Sequence, residues 1–335
     1  MSPAAPTFSI VVAMFNEEAV VRALHERVCD VMEALGDPFE LVVVDDGSSD
    51  STLDVLRQLA NEDRRIRVLS FSRNFGHQAA VTAGLRASRG RAVIVMDGDL
   101  QDPPEVIPRL VERWREGYDV AYAVRRKRKE GWFKRQAYAL FYRLLHAVAY
   151  VKVPVDSGDF ALMDRRVVDV LNAMPERNPF VRGIRAWVGF RQIGVEYERA
   201  ARTRGVSKYS LGRLVLLALD GLVSYSYAPL RVVANLGLLI SSFAFAVMAY
   251  LVVAKVVQGI PVPGWTSTVI LMLFLGGIQL LSIGVIGEYV GRIFDEVKQR
   301  PLFIVREEFG GAAAGPLRLV EPGRPAAEGA PAARA

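Results

Sequence analysis

Between residues 8 and 123 short apolar runs alternate with amphipathic segments, and no other feature narrows the fold of this chain as much. Residues 8–13, 39–44, 66–71, 92–96 and 120–124 have the length and β-branched content of buried strands. The segments between them read as helices. Val21, Leu24, Val28, Met32 and Leu35 recur at helical spacing, and Gly36 ends that run. Asn16 is placed to cap the same helix, with Glu17 and Glu18 in its first turn. Residues 52–60, 78–87 and 104–115 complete the series, the last opening on Pro104. Strand–helix alternation of this kind predicts an α/β fold, a mainly parallel sheet with helices on both faces. In such sheets ligands bind beyond the carboxyl ends of the strands. The polar clusters 15-FNEE-18, 45-DDGSSD-50, 72-SRNFG-76 and 97-DGDLQD-102 all fall there.

The fourth run, 93-VIVM-96, passes directly into Asp97, Asp99 and Asp102, with Glu105 close behind. Carboxylates gathered at the end of a buried strand repel one another unless a cation joins them. Hard oxygen ligands suit Mg²⁺ or Mn²⁺, and Mg²⁺ commonly completes its shell with water and substrate phosphates. Asp97 and Asp99 are therefore read as metal ligands facing a diphosphate. Asp102 and Glu105 are read as a helix start and solvated surface.

The second half changes character. Residues 132–150 and 211–230 mix aromatic and aliphatic side chains with basic ones, an interfacial pattern. Residues 232–254 and 266–287 carry no charge. At the helical rise the first spans roughly 35 Å, enough for a bilayer core. Arg231 precedes the pair and Arg292, Lys298 and Arg300 follow it, which places both flanks in the cytoplasm and the Pro/Gly loop outside. Residues 310–335 are Ala/Gly/Pro-rich and read as a disordered tail. The expected organisation is a cytoplasmic catalytic domain over 1–210, an amphipathic segment over 211–230, two transmembrane helices within 231–290, a cytoplasmic segment over 291–309, and the tail. The N-terminus lacks the pattern of a signal peptide. One cysteine and three histidines exclude a disulfide framework and a histidine or cysteine metal cluster. A net charge of +6 suits a phosphate-bearing partner or an anionic membrane face and does not single out nucleic acid.

The stretches 10-IVVAMFNEE-18, 41-LVVVDDGSSDST-52, 72-SRNFGHQAAVTAGL-85, 95-VMDGDLQDPPE-105, 156-DSGDF-160, 204-RGVSKYS-210 and 301-PLFIV-305 occur in that order ahead of and around the two spans. In this combination the chain resembles the family 2 glycosyltransferases of GT-A fold, and within them the membrane-bound polyprenyl-phosphate glycosyltransferases. The resemblance implies that Ala13, Phe15, Glu17, Val44 and Asp46 hold the nucleotide of a nucleotide sugar. It implies that Asp97 lies near ribose and metal, that Asp99 and Gln101 ligate the metal, and that Arg125 contacts donor phosphate. Many relatives carry Pro where this chain has Ala13, a position whose contact is mainly through backbone. Asp159 is preferred to Asp156 as the acidic residue that hydroxyl-acceptor relatives use as a base, and that here orients sugar or acceptor. His77 is read as a helix cap.

The implied reaction is inverting transfer of one sugar, with UDP-glucose the favoured donor, to an undecaprenyl or dolichyl phosphate at the cytoplasmic face of the cell membrane. GDP-mannose, UDP-N-acetylglucosamine and modified arabinose donors stay open. A phosphate monoester, with a second pKa near ~6, is already largely ionised at neutral pH and needs no general base. Bringing two anions together instead needs cations. Arg128 is assigned to the lipid phosphate, and Arg202, Arg204, Ser207 and Lys208 to lipid phosphate or pyrophosphate. Membrane lipid, a second copy of the chain, a flippase and a downstream glycosyltransferase are the partners considered. Three rival readings fit parts of this pattern. A haloacid-dehalogenase-type phosphatase also places Asp-x-Asp after a strand, but close to its N-terminus. A non-enzymatic membrane scaffold would not require the intact Asp97, Asp99 and Gln101. A processive synthase usually carries Gln-x-x-Arg-Trp, whose Gln is missing from 182-RGIRAW-187.

Overall fold

The computed structural model describes residues 6–125, 157–174, 181–198, 228–258 and 264–311. Five strands occur where the apolar runs predict them: β1 (Phe8–Met14), β2 (Phe39–Asp45), β3 (Ile66–Phe71), β4 (Ala92–Asp97) and β5 (Val120–Arg125). Three more join the same sheet: β6 (Ser157–Asp164), β7 (Gln192–Tyr197) and β8 (Val305–Gly310). The order is β7-β5-β6-β4-β1-β2-β3-β8. β1 pairs in parallel with β2 and β4, β2 with β3, and β5 with β7. β6 runs antiparallel to β4 and β5, and β8 antiparallel to β3. The sheet is thus mixed but mainly parallel.

Strand alternation divides the side chains into two cores. Phe8, Ile10, Val12, Leu41, Val43, Ile94 and Met96 pack on one face with α1 (Val21–Leu35), α2 (Thr52–Glu62) and α4 (Ile107–Arg115). Val11, Val42, Val44, Val93 and Val95 pack on the other with α3 (His77–Ala87), α5 (Arg165–Ala173) and α6 (Val181–Trp187). Local signals explain several boundaries. Gly36 closes α1 in the left-handed conformation, and the Asp164 side chain caps α5 by accepting from Arg166 N–H. Gly84 lets α3 lie tight on β1, since a Cβ there would sit 2.2 Å from Val11 Cγ1. The helix expected from Pro104 begins as a short 3-10 turn, Pro104–Val106, before α4.

Asn16 departs from its expected role as a cap. It lies in the left-handed region at φ 56°, and α1 starts later, at Val21. Its side chain accepts from Ser49 N–H at 2.8 Å instead, tying the loop after β1 to the loop after β2.

The chain divides into two compact units, one of residues 1–132, 152–206 and 300–335 and one of 133–151 and 207–299. The described part of the second unit is α7 (Ala228–Gln258) and α8 (Trp265–Val297), whose large apolar side chains are mostly exposed. Among the described residues one stretch, Phe274–Gly291, is long and apolar enough to cross a membrane, and a shorter apolar stretch, Val233–Val247, lies in α7. Residues 132–150, most of 211–230 and the tail beyond 311 lie outside the described residues.

Candidate active site

The loops that follow β1, β2 and β3 are stitched together by their own polar groups. Asn16 N–H donates to Ser48 Oγ, Glu17 N–H to Thr52 Oγ1, and Ser51 N–H to Glu18 Oε2. Asp45, fully buried, accepts from Ser48 N–H and Ser70 Oγ. Asp46 accepts from the backbone N–H groups of Phe75 at 2.7 Å and Gly76 at 3.0 Å, which fixes the loop leading into α3. Burial raises the Asp46 carboxyl above its ordinary range, against those donors. Gly47, next in sequence, sits at φ 71° with its backbone against Arg73, where a Cβ would meet the carbonyl carbon at 2.5 Å. Of the residues assigned to the nucleotide, Val44 is buried in β2 and Asp46 nearly so, Ala13 and Glu17 are half-buried, and Phe15 is 45% exposed. All five lie at one end of two adjacent parallel strands.

The end of β4 is different. Asp97 closes the strand, Gly98 turns beneath Ala13 and Met14, and Leu100 adopts φ 56°. Asp99 Oδ1 accepts from Gln101 N–H at 3.0 Å, so both residues belong to one tight turn. Asp102 is fully buried and accepts from the Tyr197 hydroxyl, which corrects its reading as solvated surface. Glu105 is exposed as expected, clasped by Arg27.

Because β6 runs antiparallel, its beginning lies at the edge where β4 ends. Val95 pairs with Ala161, and the same register carried two residues further sets Asp97 level with Asp159. Asp159 is buried and heavily partnered. Arg182 Nε donates to Oδ1 at 2.6 Å and Arg182 Nη2 to Oδ2 at 2.9 Å; His77 Nε2 lies 3.1 Å and Gln78 Nε2 3.3 Å from Oδ2. Burial opposes ionisation of Asp159, but the His77 and Arg182 contacts outweigh it and hold the carboxyl far below the carboxylate range. His77 Nε2 also lies 3.6 Å from Asp97 Oδ1. His77 is raised above its ordinary value, chiefly by its bond to Asp159. Asp97 is pushed up to about 6, first by burial and then by Asp102, Asp159 and Asp99.

His77 is therefore no cap. It opens α3 and turns its ring to two carboxylates. Arg182, Arg185 and Gln78 were absent from the sequence-based site; the available signal was a pair of arginines three apart in 182-RGIR-185. Arg125 is the last residue of β5. Asp156, Arg128, Arg202, Arg204, Ser207 and Lys208 lie outside the described residues.

The donor set fits a divalent cation. Burial first and then the neighbouring carboxylates of Asp102, Asp159 and Asp99 raise Asp97, and the turn that follows it carries the side-chain oxygens of Asp99 and Gln101. His77, Asp97 and Asp159 also offer one ligand atom each within 4.8 Å, but Asp159 is already engaged by Arg182.

An open, mainly parallel sheet with an acidic cluster at its carboxyl edge, joined to a pair of long apolar helices, defines a narrow class of enzyme. Residues 9–171 match the model of glycosyl transferase family 2, and residues 228–293 match the GtrB C-terminal hairpin. The uncharacterized glycosyltransferase YkcC of Bacillus subtilis (strain 168) is 46% identical over 304 residues, 90% of this chain and 94% of that one. The SfII prophage-derived bactoprenol glucosyl transferase of Shigella flexneri is 43% identical over 304 residues, 90% of this chain and 98% of that one. The prophage bactoprenol glucosyl transferase homolog of Escherichia coli (strain K12) is 42% identical over 299 residues, 89% and 98% of the two chains. The chain belongs to glycosyl transferase family 2 and is a glycosyltransferase of the GT-A type. The phosphatase and scaffold readings fall with that assignment.

Proposed function

We propose that the protein transfers one glucosyl residue from UDP-glucose to a polyprenyl phosphate, with inversion at the anomeric carbon. The observation that carries this reading is the arrangement at the end of β4: carboxylates suited to a metal diphosphate stand directly beside fixed cationic side chains suited to a second anion. The bactoprenol glucosyl transferases at 43% identity over 90% of the chain supply the sugar and the lipid class. UDP lies over the ends of β1 and β2, with Ala13, Phe15, Glu17, Val44 and Asp46 shaping its pocket and Arg125 on donor phosphate. Asp97, Asp99 and Gln101 would hold Mg²⁺ or Mn²⁺, which would stabilise the charge that builds on the diphosphate of the departing UDP.

An acceptor phosphate oxygen attacks the anomeric carbon, the bond from that carbon to the diphosphate oxygen breaks, and its electron pair leaves with UDP. No proton is removed, because the attacking phosphate is already ionised. Asp159 does not serve as a base: both its oxygens are engaged by hydrogen-bond donors. Arg128, Arg202, Arg204, Ser207 and Lys208 draw the lipid headgroup to this edge.

The hairpin anchors the enzyme in the membrane with two crossings, within 232–254 and 266–287, and both flanks in the cytoplasm. Chain topology supports the even number. β7 precedes the hairpin, β8 follows it, and both belong to one sheet, so the chain must return to the side it left. Membranes incubated with labelled UDP-glucose, undecaprenyl phosphate and Mn²⁺ are expected to place label in the lipid extract. Absence of lipid label with the wild-type chain, or its persistence in Asp99→Ala, would refute the reaction. A Gly259→Cys variant in a Cys29→Ser background is expected to react with an impermeant maleimide from outside; labelling only in opened vesicles refutes the topology.

A further inference from the structure

Asp159 holds a charged side chain in place rather than acting on substrate itself. The α6 helix presents Arg182 and Arg185 to neighbouring residues of β6, Asp159 and Gly158. Arg182 clamps the Asp159 carboxylate with Nε and Nη2. Arg185 is 2% exposed, lies over the Tyr122 ring, and reaches only the Gly158 carbonyl, at 3.4 and 3.5 Å, among the described residues. Burial lowers it to about 10. Two guanidinium groups thus face the Asp159 end of β6, while Asp97 and Asp102 act on Arg182 from the β4 side. Gln78 locks this assembly: its Oε1 accepts from Val181 N–H at the start of α6, and its Nε2 donates to Asp159. The Arg182 side chain is 32% exposed, and its Nη1 donates to no described residue. A guanidinium fixed along one edge and open along the other is preorganised for a phosphate.

Sheet order says which phosphate. β4 and its carboxylates stand in the middle, with β1 and β2 on one side and β6 on the other. If the nucleotide occupies the β1–β2 side, an in-line nucleophile arrives from the β6 side. Resting on the reaction proposed above, we infer that Arg182, positioned by Asp159 and backed by Arg185, binds the phosphate of the acceptor monoester and not the donor diphosphate.

The test uses full-length protein in detergent with UDP and Mn²⁺ present, and titrates geranyl phosphate, geraniol and inorganic phosphate by calorimetry. Geranyl phosphate is expected to bind and geraniol not to bind. Arg182→Met is expected to weaken geranyl phosphate binding at least about tenfold, the scale of one charge-assisted hydrogen bond, with UDP affinity within about twofold of wild type. Arg182→Lys is expected to fall between, and Asp159→Asn to raise the acceptor KM more than it lowers kcat. UDP binding doubles as the fold control. Competition by inorganic phosphate in the wild type that disappears in Arg182→Met assigns the contact to the phosphate rather than the prenyl chain. Unchanged geranyl phosphate binding in Arg182→Met, or loss of UDP binding in the soluble, thermally intact Arg182→Lys, overturns the inference. Arg182-dependent binding without glucosyl transfer would leave it standing and refute the proposed reaction instead.

Discussion

The two halves of the carboxyl edge handle buried carboxylates in opposite ways. On the β1–β3 side Asp45 and Asp46 are satisfied by backbone N–H groups and serine hydroxyls, so the loops form a closed framework. On the β4–β6 side Asp97 and Asp159 meet side-chain cations and one another. Backbone donors cannot leave, whereas side-chain cations and carboxylates can exchange partners when a charged ligand arrives. The first half is built to stay; the second keeps its charge on groups able to change partners. Rigid loops beside a responsive charge cluster suit an enzyme that must seat a nucleotide firmly and then admit a second anion.

Perturbing the responsive half should change chemistry most. Asp99→Ala is expected to lower glucosyl transfer at least about a hundredfold, the scale of lost charge stabilisation at a leaving group, without lowering the unfolding temperature. Perturbing the framework should also lower stability. Asp46→Ala strands the Phe75 and Gly76 N–H groups and is expected to cost about 2–4 kcal/mol, read as a lower thermal midpoint. Gly47→Ala forces a side chain into the left-handed region and against Arg73, and is expected to cost about 2 kcal/mol by the same assay.

Asp97 sharpens the contrast further. Its folded pKa of about 6 exceeds the ordinary value, so the metal-free folded protein binds that proton more tightly than the unfolded chain does. Its ionisation therefore costs stability as pH rises from about 4 to 6, and the cost is constant above that window. In chelator-treated protein Asp97→Asn is expected to be more stable than wild type by about 1–2 kcal/mol at pH 7, with the gap closing near pH 4. A gap independent of pH would mean that burial and the nearby carboxylates do not raise Asp97. The smallest effect belongs to the exposed Arg27–Glu105 pair, where Arg27→Ala is expected to cost about 0.5 kcal/mol.

How much of this was legible depended on whether the signal was local. β1 to β5 announce themselves as apolar runs, and Asp97 and Asp99 follow one of them directly. Asn16 was misread because its neighbours make a good local cap, while its partner Ser49 lies 33 residues away. β6 begins with Ser157, Gly158 and Asp159, which resemble a loop until antiparallel pairing with β4 brings them to the site. Arg182 and Arg185 acquire meaning only through that pairing. Asp102 looked like a helix start because nothing near it in sequence foretells Tyr197, 95 residues on.

β8 carries a consequence for biosynthesis. Of the described strands it is the last to be translated, after both long helices. Until it docks, β3 offers an open row of amides and carbonyls beside the apolar residues Ile66, Val68 and Leu69, an edge that recruits other chains. The arriving strand covers that row and turns Arg306, Glu307 and Glu308 into the new border, with Phe303 stacked on Phe71 at 5.1 Å. A nascent polypeptide stopped short of Val305 would carry its acidic cluster complete and its sticky margin bare, so premature termination there should yield aggregate before it yields inactive enzyme.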